Sequence, residues 1–77
     1  MKIDVLLFGV LADVAGKNRI TIDDPGDLDN LKKMVVMDIP KFKSFKFQVS
    51  VNKTIIKENT NLSEGDEVAF LPPFAGG

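Results

Sequence analysis

The chain has 77 residues with neither cysteine nor histidine, and its ten basic and eleven acidic side chains give a net charge of −1. This length fits one small domain. The missing thiols and imidazoles exclude the usual zinc sites and Cys- or His-dependent nucleophilic catalysis, so we expect no metal site and no complete enzyme. The balanced charge argues against a nucleic-acid partner. Without a long apolar stretch or a targeting signal, we expect a cytoplasmic protein with no membrane partner.

The first third of the chain predicts two strands with a short helical segment between them. Apolar residues alternate over residues 2–8, which indicates a strand with a buried face, and Leu6 and Phe8 make the second face apolar as well. Residues 10–16 predict a helical turn that ends at a glycine. Residues 19–23 alternate again and predict a second strand.

The middle of the chain predicts the main helix. Turn residues at 24–26 precede Asp27, which is suited to accept backbone N–H bonds as a helix N-cap. The spacing of the apolar residues then predicts a helix over 27–37, which Pro40 ends. The apolar residues with this spacing are Leu28, Leu31 and Val35.

The second half of the chain predicts three strands. Apolar and polar residues alternate over 45–52, which predicts a strand whose apolar side chains belong to the core: Phe45, Phe47, Val49 and Val51. A reversal at Asn52-Lys53 precedes a short strand at 54–57, and a turn at 63–66 precedes a last strand at 67–71. We therefore predict an α+β domain, a mixed sheet of four or five strands with one main helix packed on one face. The order suits a β-grasp, although periodicity alone also permits other two-layer sandwiches.

Two groups of charged residues have competing interpretations. Carboxylates at 23–24 and 64–67 lie in predicted turns and are interpreted as solvated turn residues rather than an acid–base pair. Between Lys41 and Lys57 there are five lysines and no acidic residue. The favoured interpretation is that these lysines protect the edges of the sheet, and the alternative is a patch that attracts an acidic partner.

The end of the chain predicts a tail with a chemical role, residues 72–77, which follows a domain at 1–71. Pro72 and Pro73 favour an extended segment with little entropy to lose on binding, and Phe74 is a candidate anchor in a partner pocket. Two terminal glycines have no side chain to prevent entry into a narrow channel. The terminal carboxylate is then the candidate reactive group. It requires activation by ATP, and because the sequence has no Walker-type phosphate loop, the ATP site is expected on a partner.

These residues resemble the small, sulfur-carrying subunit of molybdopterin synthase, the MoaD family, within the ubiquitin-like β-grasp proteins of the ThiS and MoaD superfamily. The strongest match is the segment 62–77, with Gly65-Asp66-Glu67-Val68-Ala69 followed by two prolines and the terminal Gly-Gly. Residues 8–16 and Val51-Asn52 are similar to the family as well. The match is weakest over 36–46, and the lysine-rich stretch is not a recognised feature of the family.

The resemblance implies a carrier rather than a catalyst. Gly77 would be adenylated by a partner related to ubiquitin-activating enzymes, converted to a thiocarboxylate with sulfur from a donor protein, and used to deliver sulfur to a pterin precursor. Catalysis would lie in the large synthase subunit, in a heterotetramer of two small and two large subunits, with no cofactor bound to this chain. Ala75, Gly76 and Gly77 would enter the partner's channel. The predicted partner contacts are Phe8, Phe70, Leu71, Pro72, Pro73 and Phe74.

Three alternatives remain at this point. The first is a sulfur carrier for thiamin thiazole synthesis, which shares the fold and the Gly-Gly end. The second is a ubiquitin-like modifier whose tail forms an isopeptide bond with lysine. The third is a β-grasp interaction module whose tail has no chemical role.

Overall fold

A computed structural model describes residues 1–73. The five strands are β1 (Lys2–Leu7), β2 (Arg19–Asp23), β3 (Gln48–Val51), β4 (Thr54–Ile56) and β5 (Glu67–Leu71). The helices are α1 (Val10–Ala15) and α2 (Leu28–Asp38), with a 3₁₀ helix at Pro40–Ser44. β5 ends at Leu71, and the structure describes only the first two residues of the predicted tail. The division into a domain at 1–71 and a tail at 72–77 therefore stays a prediction.

All five strands form one mixed sheet in the order β2-β1-β5-β3-β4. β1 runs parallel to the central strand β5, and every other neighbouring pair is antiparallel. Residues on one face of this sheet pack with α2 and the 3₁₀ helix around a single core cluster. The predicted α+β class, with one main helix on one face of a mixed sheet, is therefore confirmed.

Helix α2 begins and ends where local chemistry predicts. The Asp27 carboxylate accepts a hydrogen bond from the Asn30 backbone N–H at 2.8 Å, so Asp27 is the predicted N-cap. The three predicted core residues of the helix are buried: Leu28, Leu31 and Val35. The last hydrogen bond runs from the Ile39 N–H to the Val35 carbonyl at 2.8 Å, and Pro40 opens the 3₁₀ helix instead of continuing α2.

The strand predicted over 45–52 is shorter than the sequence pattern suggests. β3 begins only at Gln48, because the chain through Ser44 forms the 3₁₀ helix and the Phe45 N–H still donates to the Phe42 carbonyl at 3.1 Å. Phe42 fills the core at 1% exposure, whereas Phe45 and Phe47 are only partly buried against its edge. The prediction of a continuous strand over 45–52 was therefore wrong for residues 45–47 and 52.

The hairpin between β3 and β4 turns at the predicted position. Asn52 and Lys53 have φ of 51° and 70°, the left-handed pair that a two-residue turn of type I′ requires. β4 then pairs with β3 through Thr54 opposite Val51 and Ile56 opposite Val49. β4 ends one residue before the predicted boundary and is an edge strand of the sheet.

Candidate partner-binding site at the base of the tail

Strand β5 leads directly to the tail and has two contrasting faces. Val68 and Phe70 are completely buried on the face that α2 covers. The Phe70 ring stacks on Phe47 with ring centroids 4.5 Å apart and lies 6.4 Å from Phe42. Phe70 was predicted to contact a partner, but the structure places its side chain in the core with no exposed surface. Its role in this structure is to hold β5, and with it the base of the tail, in position.

The opposite face of the sheet carries a row of side chains that crosses all five strands. Successive residues of a strand point to opposite faces, so the strand register defines this row. Leu6 lies between Arg19 and Ala69, and Ser50 lies between Ala69 and Ile55. We call these five residues the outer row. Its two exposed or half-buried aliphatic members, Leu6 and Ile55, flank small residues and face away from the core.

At the end of the outer face, the chain after β1 lies against the start of the tail. A Cβ atom placed on Gly9 would lie 3.0 Å from Pro72 Cγ, which is closer than most side-chain contacts. Gly9 also has φ of 58° and ψ of −133°, a combination that side-chain-bearing residues rarely adopt. Gly9 thus lets Pro72 pack directly on the backbone of the β1–α1 connection. This contact fixes where the tail leaves the domain.

Helix α1 holds that connection in place. The Gly9 carbonyl accepts hydrogen bonds from the Ala12 and Asp13 N–H groups at 3.1 and 3.3 Å. The helix ends at Gly16, as predicted, in a left-handed conformation with φ of 75°. We call residues 8–10 together with Leu71 and Pro72 the tail corner. Phe8 and Val10 are 45% and 42% exposed, so apolar surface surrounds the exit of the tail.

The other end of β5 is fixed by hydrogen bonds to the hairpin turn. Asn52 Oδ1 accepts from the Glu67 N–H at 3.0 Å, and Asn52 Nδ2 donates to Asp66 Oδ1 at 3.0 Å. Asp66 Oδ2 also accepts from the Ser63 N–H at 2.7 Å. The bond from Ser63, with that from Asn52, lowers the pKa of the Asp66 carboxyl below its usual value. Asp66 therefore serves the turn, as predicted for the carboxylates of 64–67.

Several predicted site residues are brought together and others fall outside the description. Phe8 precedes Gly9, which packs against Pro72, so Phe8, Leu71 and Pro72 all belong to the tail corner, and Pro73 is exposed beyond it. The predictions for Phe74, Ala75, Gly76 and Gly77 lie outside the described residues. Within residues 1–73 there is no cluster of three or more side chains that could hold a metal ion. None of the helices in this part of the chain is long and apolar enough to cross a membrane.

The sequence patterns assigned no residue of the outer row to a partner surface, and in the tail corner they missed Gly9 and Val10. The two adjacent isoleucines of β4 place one side chain on each face of the sheet, which was a usable signal for Ile55. Ala69 lies within a wholly apolar strand segment, so only the register assigns it to the outer face. The signal for Gly9 was a glycine directly after a strand, although its contact with Pro72 could not be read from sequence.

The fold and this surface define a small β-grasp domain that carries a tail, and comparison with known proteins identifies its family. Residues 5–77 match the sequence profile described as the ThiS family. The chain is also 32% identical to the molybdopterin synthase sulfur carrier subunit of Mycobacterium tuberculosis, over its whole length and 99% of that protein. The chain therefore belongs to the ThiS family, and the predicted resemblance to these ubiquitin-like β-grasp proteins is confirmed.

Solved structures are similar over the same length. SAMP1, the small archaeal modifier protein 1 of Haloferax volcanii, is 27% identical with a TM-score of 0.85, and each chain is covered completely. A complex of subunits 1 and 2 of the molybdopterin-converting factor from Helicobacter pylori contains a chain that is 25% identical with a TM-score of 0.74, again with complete coverage of both chains. The β-grasp fold is thus shared by proteins whose names indicate different tasks.

Proposed function

We propose that this chain is the sulfur carrier of molybdopterin biosynthesis, with the carboxylate of Gly77 as the group that carries the sulfur. The observation that supports this most strongly is the full-length similarity to a molybdopterin synthase sulfur carrier subunit. The Gly-Gly end of the sequence is consistent with it, because only residues without side chains pass through a narrow channel unhindered. The chain is a carrier and a substrate in this proposal, not a catalyst.

The chemistry takes place at the terminal carboxylate. The carboxylate attacks the α-phosphate of ATP on an adenylating partner, and pyrophosphate leaves. The outer sulfur of a persulfide on a donor protein then attacks the acyl carbon, and AMP leaves. A thiol cleaves the S–S bond of the resulting acyl disulfide, so that the donor sulfur forms a disulfide with that thiol and Gly77 ends in a thiocarboxylate. The ionised carboxylate is a poor electrophile until it is activated. No phosphate-binding loop of the Walker type occurs in the sequence, so the nucleotide belongs to the partner.

The outer row and the tail corner are the proposed docking surface for the large synthase subunit. Apolar side chains at Leu6 and Ile55 in the outer row and at Phe8 in the tail corner are exposed or half-buried. A partner that covers this face simultaneously holds the strand from which the tail emerges. The complex of two molybdopterin-converting factor subunits from Helicobacter pylori supports a partner of this kind.

Reconstitution tests the acceptor. The chain is incubated with an adenylating enzyme, ATP and a sulfur donor, and is then supplied with the large synthase subunit and the pterin precursor. We expect molybdopterin to form in proportion to the chain added. The matched control is the chain with one alanine added after Gly77, which retains the fold but displaces the reactive carboxylate. Product formation with this extended chain would contradict the proposal, and product with a thiazole precursor instead would indicate the thiamin pathway.

A second candidate function is protein modification. The similarity to the small archaeal modifier protein of Haloferax volcanii favours it, since that protein shares the fold over its whole length. A modifier would form isopeptide bonds with lysines of other proteins. Denaturing gels of cell extract separate the two functions: a ladder of conjugates that disappears on deletion of Gly77 supports modification, whereas a single unconjugated band supports the carrier alone.

A further inference from the structure

A basic groove lies at the β4 edge of the sheet, where it shares Ile55 with the outer row. It runs between α2, the segment before β3 and the edge strand β4, and has a volume of about 540 Å³. Phe45, Phe47 and Ile56 contribute apolar surface to this groove, and three lysines line it as well. The residues that line this basic groove are Lys32, Phe45, Lys46, Phe47, Gln48, Val49, Ile55, Ile56 and Lys57.

The charge of the groove stands out against the rest of the chain. Five lysines and no acidic residue occur between positions 41 and 57, whereas the other residues combine five basic with eleven acidic side chains. No carboxylate of residues 1–73 forms an ion pair with Lys46 or Lys57, and Lys32 contacts only Asp29 at 3.8 Å. Two of these five lysines, Lys46 and Lys57, line the groove together with Lys32 of α2. An acidic segment would be attracted to these three lysines.

The backbone of β4 offers hydrogen bonds along the same groove. β4 pairs with β3 on one side only, so its other edge has no strand beside it within the described residues. In a hairpin closed by a two-residue turn, Thr54 and Val51 form the hydrogen-bonded pair, and the next pair is not hydrogen-bonded. The N–H and C=O of Ile55 therefore point away from β3 toward the free edge. An extended peptide can pair with these groups.

Aromatic packing supports the apolar surface of the groove at Phe47. Phe47 stacks on the buried Phe70 at 4.5 Å and lies 6.2 Å from Phe42, so three aromatic rings support one wall. Side chains on alternate residues of an added strand would point into the groove, and acidic residues between them would lie at the sheet edge beside Lys46 and Lys57, the lysines next in sequence to Phe47 and Ile56. Apolar residues therefore suit the positions that point into the groove, and acidic residues suit the positions between them.

From these three observations we infer that the basic groove binds an extended acidic segment of a partner protein, in which apolar and acidic residues alternate, as an added strand on β4. This site shares Ile55 with the outer row but includes no residue of the tail corner. It gives the lysine-rich stretch a recognition role, in addition to protecting an edge strand from aggregation.

Titration of the full chain by heteronuclear NMR tests the inference. The probe is an amide-capped ten-residue peptide in which valine alternates with aspartate, and the control peptide has lysine in place of aspartate. We expect saturable shifts at 45–48 and 55–57 with the acidic peptide and none with the basic one. Because the tail takes no part, the chain without Gly77 is expected to bind equally, so the result is independent of the proposed carrier function.

Charge reversal locates the site. Lys46→Glu combined with Lys57→Glu is expected to weaken binding of the acidic peptide about tenfold. The matched control combines Lys17→Glu with Lys41→Glu, which changes the net charge equally but leaves the lining of the groove intact. The control pair is expected to bind within about twofold of the unaltered chain.

Four results would overturn the inference: no saturable binding, shifts centred on Leu6 and Ala69, equal loss of affinity in the control pair, or equal binding of a single-stranded oligonucleotide to the groove. The last result would indicate a general polyanion site. Amide spectra of both double variants establish that each remains folded, so a loss of binding is not confused with unfolding.

Discussion

The two faces of β5 differ in what covers them, although their residues alternate along one short strand. Val68 and Phe70 are sealed beneath α2 and the aromatic cluster, with no exposed surface. Ala69 and Leu71 lie on the other face, between Leu6 on one side and Ser50 and Gln48 on the other; Ala69 is buried among these neighbours, and Leu71 is half-buried. The first face stabilises the domain. The second is available to a partner, and the tail that carries the proposed chemistry begins where both faces end.

The largest effect is expected on the covered face. Phe70→Ala removes a completely buried ring and should cost about 3–5 kcal/mol of unfolding free energy, including the cavity that it leaves. In a domain of this size that is a large share of the total stability. Urea unfolding followed by circular dichroism measures the change. A loss below about 1 kcal/mol would mean that the aromatic cluster does not support β5.

The uncovered face should show the reverse behaviour. Leu6→Glu places a charge between Arg19 and Ala69 in the outer row and is expected to weaken binding of the large synthase subunit by at least about thirtyfold. Stability should change by less than about 1 kcal/mol, because Leu6 lies outside the core cluster. Calorimetric titration measures the affinity for the large subunit, and thermal unfolding measures the stability. Unchanged affinity would remove the outer row from the proposed interface.

The contact between Gly9 and Pro72 connects the uncovered face to the tail. Gly9→Ala combines an unfavourable backbone conformation with a Cβ atom 3.0 Å from Pro72 Cγ, and is expected to cost about 1–3 kcal/mol. Gly16→Ala is the matched control: its φ is also positive, but a Cβ atom there would have no neighbour within 4 Å. Thermal unfolding measures the loss of unfolding free energy in each variant. The NMR shift of the Leu71 amide reports whether the neighbouring Pro72 has moved. Equal amide shifts in both variants would show that Pro72 does not depend on Gly9.

The smallest effect concerns the turn that precedes β5. Asp66→Asn should destabilise the domain by about 1 kcal/mol at neutral pH, because the carboxylate accepts two hydrogen bonds. The pKa of Asp66 is lowered by folding, so its stabilising contribution is complete above the unfolded pKa of about 3.9 and is lost as pH falls through the folded value. The difference between the two proteins should therefore shrink in acid. Urea unfolding at several pH values measures it, and a difference that grows in acid would contradict this assignment.

The sequence predicted the elements well where one local cause dominates. Asp27 as N-cap and the apolar spacing after it were sufficient to define α2, and two residues with turn propensity defined the hairpin at Asn52-Lys53. The apolar alternation was a wrong guide where a 3₁₀ helix and a strand follow each other directly. Phe45 and Phe47 continue the alternation of β3, but the backbone before Gln48 is held by the end of a 3₁₀ helix.

The functional surface was harder to predict for a physical reason. The end of β5 is apolar at every position, so no periodicity distinguishes Phe70 in the core from Leu71 on the outer face. The outer row exists only through the register of five strands from distant parts of the chain. The tail motif, in contrast, is contiguous, and its resemblance to the family was visible without the fold.

The most direct test of the central claim is the mass of the C-terminal peptide after incubation with an adenylating enzyme, ATP and a sulfur donor. The account predicts that one oxygen of the Gly77 carboxylate is replaced by sulfur, and that the replacement requires ATP. An unchanged peptide mass under conditions in which the adenylate forms, or sulfur attached at any other residue, would contradict the account.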